Sequence, residues 1–549
     1  MQLQFEWDIF RFSALCKCTL LTLHKPFNIF IQLIRKEEYS QLGYKHDAFL
    51  RPRNWLQFAD DACVVTGQQY ENQILLNCFT AFCSWANMEA RPDKCKAFGM
   101  MKVNTTCSQV SPKVFVSNQR IPPVLSTESF TYLGRSFNFK MDNEEHKKKL
   151  LETTNLLLEA ISRLPLHPKN KIVLYSTYFM SKVSWDLTIA DLDITWVKQN
   201  LDSIAHRYIR LWLDIPISGT LDIISLTKEK CGLGIIDPST KFSQCQVSLR
   251  NCLKKSPNEE MQSLHKVTSR DQNVQYDTYA NGKEVIKENR TKKVHRITHE
   301  LTSQGLILKA ILEHTTNKIT SIWSEAQKLL PKNIFNFSVR YLNNSLPTKK
   351  NMKFWGRVES ELCNFCQHPQ SLLHVVSGCK SMLEGKRYTW RHNSVLLTIG
   401  NFLTGIRNLK IYADDIPGFR PSAVITGNDK RPDLLVINEG VLYVLELSVG
   451  FETNIGNNEA HKKRRYENLL KDLSSSYLRV EYINLSMGAI GTIGINGHKA
   501  FMNMLQNLST SKQEQLYLEK KIITICIRCT YYIFCKRDSE WTSPELLTF

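Results

Sequence analysis

A chain of 549 residues is too long for one hydrophobic core, and roughly three or four domains are expected. Hydrophobic content of 42% is ordinary for a globular protein, but 71 Lys and Arg against 52 Asp and Glu leave a formal charge of +19, which points to a polyanionic partner. No apolar run reaches the ~18 residues of a transmembrane helix, so no membrane partner is expected. Phe12-Ser13-Ala14-Leu15-Cys16 is interrupted by Lys17 and lacks a small-residue cleavage site, so it does not read as a signal peptide, and the sixteen cysteines are expected to be reduced.

Residues 1–50 carry short apolar pieces without a clean period. From Leu56 to Val65 the pattern is strand, tight turn, strand, with Phe58-Ala59-Asp60-Asp61 across the turn. Residues 69–90 place Ile74, Leu75, Cys78, Phe82, Trp85 and Met88 at helical spacing. Arg91-Pro92-Asp93-Lys94 breaks that helix, and Cys95–Met101 reads as a strand. Asp142, with Glu145 three positions on, forms a capping-box start for a long helix through Leu150, Leu157 and Ile161 to about Leu164. Pro168 opens the next helix, with Val173, Tyr175, Tyr178 and Val183 inside it, so 140–215 is mostly helical. Residues 254–300 turn polar, and Lys283, Lys287, Arg290, Lys292, Lys293 and Arg296 cluster there. That cluster reads first as a solvated linker or helix face, with a phosphate-contacting surface as the alternative. Helices resume at 296–330.

Cys363-x2-Cys366-x7-His374-x4-Cys379 has the spacing of a zinc site. The first two cysteines fit a turn that puts both sulfurs on one ion, and His374 and Cys379 complete a tetrahedron. Leu372, Leu373, Val375 and Val376 could supply a small core around it. With four protein ligands no position stays open, so the zinc is structural. Cys526 and Cys529 share the Cys-x2-Cys spacing but sit among Ile522, Ile525 and Tyr532, with no histidine beside them, and read as core.

Arg431–Ile437 is an apolar strand carrying one acid, Asp433, and Val441–Val449 is a second carrying one acid, Glu446. Asn438-Glu439-Gly440 between them is a hairpin turn signal. With Glu439-Gly440 as a two-residue loop, Asn438 faces Val441 and Asp433 lies opposite Glu446, their Cβ atoms roughly 5 Å apart. A three-residue loop would shift the pair to a diagonal. Two such carboxylates repel unless a cation sits between them, and Mg²⁺ prefers hard oxygen ligands of this kind. Asn458 can cap a following helix through about Asp472, on which Lys462, Tyr466, Leu469 and Leu473 share the stripe facing the sheet. A lysine there can orient the attacking water and offset charge on a phosphate. Lys463, Arg464 and Arg465 form a basic face; Tyr466 either contacts DNA or packs.

Asp433, Glu446 and Lys462 resemble the PD-(D/E)-x-K nuclease fold, in the variant whose lysine has moved from the strand to the next helix; Ser448 stands where ordinary members keep it. With the Cys-Cys-His-Cys knuckle and Arg391-His392-Asn393 ahead of them, the order is similar to the C-terminal half of non-LTR retrotransposon proteins of the restriction-like-endonuclease class. Phe58-Ala59-Asp60-Asp61, followed by Trp85, Lys94 and Tyr132-Leu133-Gly134, is similar to the reverse-transcriptase palm hairpin and palm-to-thumb passage of the same family. The resemblance covers about residues 20–549.

The resemblance implies a multidomain α/β and α protein: a truncated palm over 1–102, a helical thumb and linker over 103–345, a zinc knuckle region over 346–395, a restriction-like endonuclease over 396–500 and a C-terminal helical segment over 501–549. It implies Zn²⁺ in the knuckle and Mg²⁺ at Asp60 and Asp61 and at Asp433 and Glu446. Lys462 would assist the water. The implied partners are element RNA and target DNA, and the implied site of action is the nucleus. One departure is at the N-terminal end. Asp8, in Phe5-Glu6-Trp7-Asp8, does not match the palm strand that carries a third metal-binding aspartate, and in 17–34 only Pro26-Phe27-Asn28 traces the template-contacting loop. The expectation is an N-terminally truncated protein with an inactive polymerase and a metal-dependent DNA-nicking activity; the alternative is a nucleic-acid-binding remnant without catalysis.

Overall fold

The computed structural model describes residues 12–15, 20–45, 52–58, 61–103, 106–140, 142–267, 275–414, 416–427 and 431–547. They divide into two units. The first comprises Met1–Asn155, Lys182–Val197 and Cys245–Asn281, the second Leu156–Ser181, Lys198–Gln244 and Gly282–Phe549. Among the described residues no helix is long and apolar enough to cross a membrane. Asp8, Asp60, Lys17 and Ala59 lie outside the described residues.

In the first unit, strands β1 (Phe12–Leu15), β2 (Trp55–Phe58), β3 (Asp61–Val64) and β4 (Glu89–Ala90) form an antiparallel sheet in the order β2-β3-β1-β4. Helices α1 (Leu20–Ile34) and α2 (Gln69–Trp85) pack on it through Phe30, Phe79 and Phe82, rings 4.8–6.4 Å apart. The buried stripe of α2 is Leu75, Leu76, Phe79, Phe82 and Cys83; Ile74 and Trp85, expected on that stripe, face outward. The next strand, β5 (Gly99–Val103), starts later than the expected Cys95. Cys95 is instead buried at the end of a 3₁₀ turn, its thiol donating to the Arg91 carbonyl at 3.1 Å. Helix α3 (Glu144–Arg163), whose residues up to Asn155 belong to this unit, follows the capping expectation by half: Asp142 Oδ1 accepts from Glu144 N at 3.2 Å, whereas Glu145 pairs with Lys149 rather than closing the box.

In the second unit, helix α4 (Gly282–His295) carries much of the basic cluster. Lys283, Lys287 and Lys292 are exposed, but Arg290 and Lys293 are not the solvated residues expected. Lys293 Nζ donates to Asp237 Oδ2 at 2.6 Å and to Ser225 Oγ at 2.8 Å, and Arg290 donates to the carbonyls of Ser225 and Gly234. The buried Asp237 creates this need, because a carboxylate removed from water must be paired.

A four-stranded sheet forms the rest of the unit's core. Its strands are β6 (Lys410–Ala413), β7 (Leu434–Asn438), β8 (Val441–Gly450) and β9 (Arg479–Gly488), paired in that order. The first two pairings are antiparallel, and β8 with β9 is parallel, which requires the crossover helix α6 (Ile455–Leu473). Helix α5 (Arg387–Thr404) precedes the sheet; α7 (Ile495–Asn507) and α8 (Lys512–Cys535) follow it. Because side chains alternate along a strand, Leu435, Leu442 and Val444 meet Tyr466, Leu469 and Leu473 of α6. Leu434, Val436, Leu445 and Leu447 meet α5, α7 and α8 on the other face. Cys526 and Cys529 are fully buried there, as core.

Burial works to raise the Asp237 carboxyl, but hydrogen bonds and charge from His206 and Lys293 overcome it and hold the group at about 2. A carboxyl held below its ordinary value stabilises the fold above that value and loses the contribution as pH falls through the lowered one. Asp237→Asn is therefore expected to cost about 2 kcal/mol near neutral pH, by denaturant midpoint, with the deficit shrinking between about pH 4 and pH 2.

Candidate functional site

The acids meet because of one turn. Glu439 and Gly440 have φ of 47° and 83°, the left-handed pair that a two-residue type I′ loop requires. A Cβ on Gly440 would also lie 2.7 Å from Leu478 Cδ1. This turn sets Asn438 opposite Val441 and Leu434 opposite Leu445, so the next step outward is Asp433 against Glu446. Asp433 N donates to Glu446 Oε2 at 3.3 Å, and Leu447 N donates to Asp433 Oδ2 at 2.8 Å. The strand begins at Leu434 rather than at the expected Arg431: Leu447 N, the next donor along β8, goes to the Asp433 carboxylate, and the Arg431 carbonyl accepts from the Tyr466 hydroxyl at 3.1 Å. Tyr466 is thereby a packing residue, 1% exposed.

Glu446 sits in an apolar strand and is 2% exposed. Lys462 Nζ on α6 donates to its Oε1. Helix α6 starts at Ile455, one turn before the expected cap at Asn458. The buried Glu452 carboxylate accepts from Ile490 N and the Tyr341 hydroxyl and anchors the chain just ahead of it. The stripe Lys462, Tyr466, Leu469, Leu473 faces the sheet, while His461, Lys463, Arg464 and Arg465 are exposed. Ser448, two residues beyond Glu446 on β8, shares a 2.9 Å hydrogen bond with Ser486 and carries no charge.

One residue given no role by the sequence joins the site. His392 of α5 places Nε2 at 3.2 Å from Asp433 Oδ2 and 3.3 Å from the Leu447 carbonyl. Burial disfavours its charge, but the Asp433 carboxylate and its hydrogen bond lift the imidazole to about 9. Against its own burial Asp433 is lowered by His392, whereas burial and the Asp433 charge raise Glu446 despite Lys462. The only sequence signal for His392 is its place in Arg391-His392-Asn393; it lies 41 positions from Asp433 with no spacing rule linking them. The two acids and the Leu447 carbonyl are hard oxygen donors from adjacent strands, the donor chemistry of a Mg²⁺-type cation.

The knuckle residues also come together. One ligand atom each from Cys363, Cys366, His374 and Cys379 lies within 4.8 Å of all the others. Cys366 Sγ is 3.7 Å from Cys379 Sγ and 3.3 Å from His374 Nε2. Tetrahedral zinc with bonds of ~2.3 Å to sulfur separates sulfurs by roughly 3.8 Å, so the four residues fit the ion. Burial raises the Cys379 thiol to about 12 and lowers His374. Leu372, Val375 and Val376 are buried around the site, but Leu373, expected with them, is exposed. The knuckle does not build a core of its own: Cys363, Cys379 and Met382 belong to the cluster that also holds Leu434 and Leu445.

In the first unit Asp61 opens β3, half-buried and paired with Phe58 across the hairpin. One zinc per chain is expected by atomic absorption at the knuckle, and Cys379→Ser is expected to lose it and to lower the melting temperature of the second unit.

No family model matches the chain. The chain is similar to the "Retrovirus-related Pol polyprotein from type-2 retrotransposable element R2DM" of Drosophila melanogaster, 22% identical over 464 residues that make up 80% of this chain and 41% of that protein. It thus spans about two-fifths of the length of the curated relative it matches. Over most of its length, therefore, the chain is a distant relative of a retrotransposon Pol polyprotein.

Proposed function

We propose that this protein is a retrotransposon-derived, metal-dependent DNA endonuclease whose other regions bind nucleic acid. The observation that carries the reading is Asp433 facing Glu446 across the β7–β8 hairpin beneath Lys462. Asp433 and Glu446 would hold a Mg²⁺-type cation, which supplies Lewis acidity and an activated water when bound. The chain's own residues do the remaining work. Lys462 supplies from α6 the positive charge that Ser448 lacks on the strand, where it can orient the nucleophile and offset charge growing on the phosphate. His461, Lys463, Arg464 and Arg465 line the exposed side of the same helix and suit phosphate contacts, which position DNA without reading its sequence.

The knuckle, with zinc as a structural element, and the net charge of +19 support element RNA and target DNA as partners, and a chromosomal target makes the nucleus the site of action. The sequence Phe58-Ala59-Asp60-Asp61 supports descent from a polymerase palm; we propose that it is inactive in copying. A second reading, a nucleic-acid binder without catalysis, is favoured by one observation: Lys462 and His392 already neutralise both acids within the protein.

Plasmid nicking decides between the two. The nuclease reading expects Mg²⁺-dependent nicking that chelation abolishes, with Asp433→Asn and Glu446→Gln each lowering the rate by at least about a hundredfold, in the range of losing a charge-stabilising group. Equal activity in wild type and Asp433→Asn would leave the binding reading. Either reading expects affinity for duplex DNA to fall steeply between 50 and 200 mM salt, by a factor on the order of a thousand for six or more phosphate contacts.

A further inference from the structure

Cleavage makes no use of the basic run on α4, and the lysines of that run fall into two sets. Lys292 and Lys293 find acids within the protein: Lys292 meets Glu288 at 2.5 Å, and Lys293 meets Asp237 at 2.6 Å. Lys283 and Lys287 instead line a cleft of about 460 Å³ between α4 and the short turn Lys228–Lys230, both within the second unit. Lys230 lines it from the turn. Lys283, Lys287 and Arg290 are four and three positions apart, so they share one face of the helix. Arg290 secures that wall, because its guanidinium donates to the Ser225 and Gly234 carbonyls at 3.1 Å each.

The chemistry of the cleft is one-sided. Among the described residues no carboxylate lines it, and neither Lys230 nor Lys287 has an ion-pair partner. Walls that carry one sign of charge focus the field between them and concentrate the opposite charge there. The floor is aliphatic: Leu226 is fully buried, and Ile286 and Val294 are half-buried. A ligand for this place carries negative charge along its edge and a less polar body that lies against the floor. The size is that of a small-ligand cleft, too narrow to take a nucleic-acid duplex between its walls. A single strand can enter, because its sugars and bases are free to turn inward while its phosphates stay at the rim. Lys283 and Lys287 stand one helical turn apart, roughly 6 Å along the axis, which suits successive charges on an extended strand.

We infer that the cleft between α4 and the Lys228–Lys230 turn holds a single-stranded stretch of nucleic acid, with phosphates at Lys230, Lys283 and Lys287 and a sugar or base edge over Leu226, Ile286 and Val294. This rests on the nucleic-acid-binding half of the proposed function and is independent of cleavage. No aromatic side chain lines the cleft, so bases have no ring to stack on and the grip is indifferent to their sequence.

The test uses the full chain and the fluorescence anisotropy of labelled oligo(U), oligo(dT) and a duplex, each of ~12 nucleotides. Lys230→Gln and Lys287→Gln are each expected to weaken single-strand binding by at least about fivefold and to reduce its salt slope by ~0.7, the loss of one phosphate contact. Lys292→Gln removes the same charge from the same helix outside the cleft and is expected to change single-strand affinity by less than about twofold. Duplex affinity is expected to stay unchanged in all three. The tighter of the two single-strand arms tells whether RNA or unpaired DNA is the occupant, and either supports the cleft. Equal losses in Lys287→Gln and Lys292→Gln, or equal losses for duplex and single strand, would overturn it while nucleic-acid binding stands. Poly-glutamate competing as well as oligo(U) at equal charge would overturn the choice of a nucleic-acid strand. Wild type that binds none of the three oligonucleotides would sink this inference together with the nucleic-acid reading.

Discussion

Everything at the candidate site follows from one buried carboxylate. Glu446 interrupts a strand that is otherwise Val-Leu-Tyr-Val-Leu before it and Leu after it, and water scarcely reaches it. A charge in such a place is tolerated only when something compensates it. Here Lys462 does so from one layer of the fold, while Asp433, drawn to its side by the hairpin, brings His392 with it from the other. The helices on both faces of the sheet are in this way coupled electrostatically through two strand positions. The sheet's packing and the site's chemistry are then one problem, since neither helix can shift without exposing an unpaired charge.

The knuckle belongs to the same arrangement. Its cysteines share the hydrophobic cluster of the sheet, and Tyr388, in the first turn of α5, links the two. The Tyr388 hydroxyl donates towards the carbonyls of His374 and Val375 and accepts from Cys379 N at 3.2 Å. The helix that carries His392 therefore begins against the knuckle residues. An ion held at the knuckle would do more than hold a loop; it would fix the base of a helix whose next turn lines the acidic site.

Much of this geometry is legible in the sequence, for definite reasons. The acid-to-acid register follows from a period of two and a Glu-Gly loop, and nothing outside the hairpin is needed to derive it. Lys462 is readable because an apolar stripe on a helix must face a core, and the lysine falls on that stripe. The four knuckle ligands are legible by spacing alone. What escapes is everything set by distant partners. The start of α6 depends on Glu452 meeting Ile490 and Tyr341, and the late start of β7 goes with Leu447 N turning to the Asp433 carboxylate. The burial of Lys293 depends on Asp237, and the aim of His392 on Arg391 and Thr530. None of these pairings leaves a local periodicity, so no reading of single segments could reach them.

Thr530 carries one more consequence. It lies in the final helix, long after every recognisable motif, and yet its hydroxyl receives the guanidinium that steadies the histidine, while itself donating to the Ala489 carbonyl. A copy of this chain cut short anywhere between Asn507 and Thr530 would still display its cysteines, its acids and its lysine. It would nonetheless bury an arginine with no hydroxyl to meet it and leave the inner face of the sheet uncovered. Loss of the fold can thus begin at the tail and remain invisible at the motifs.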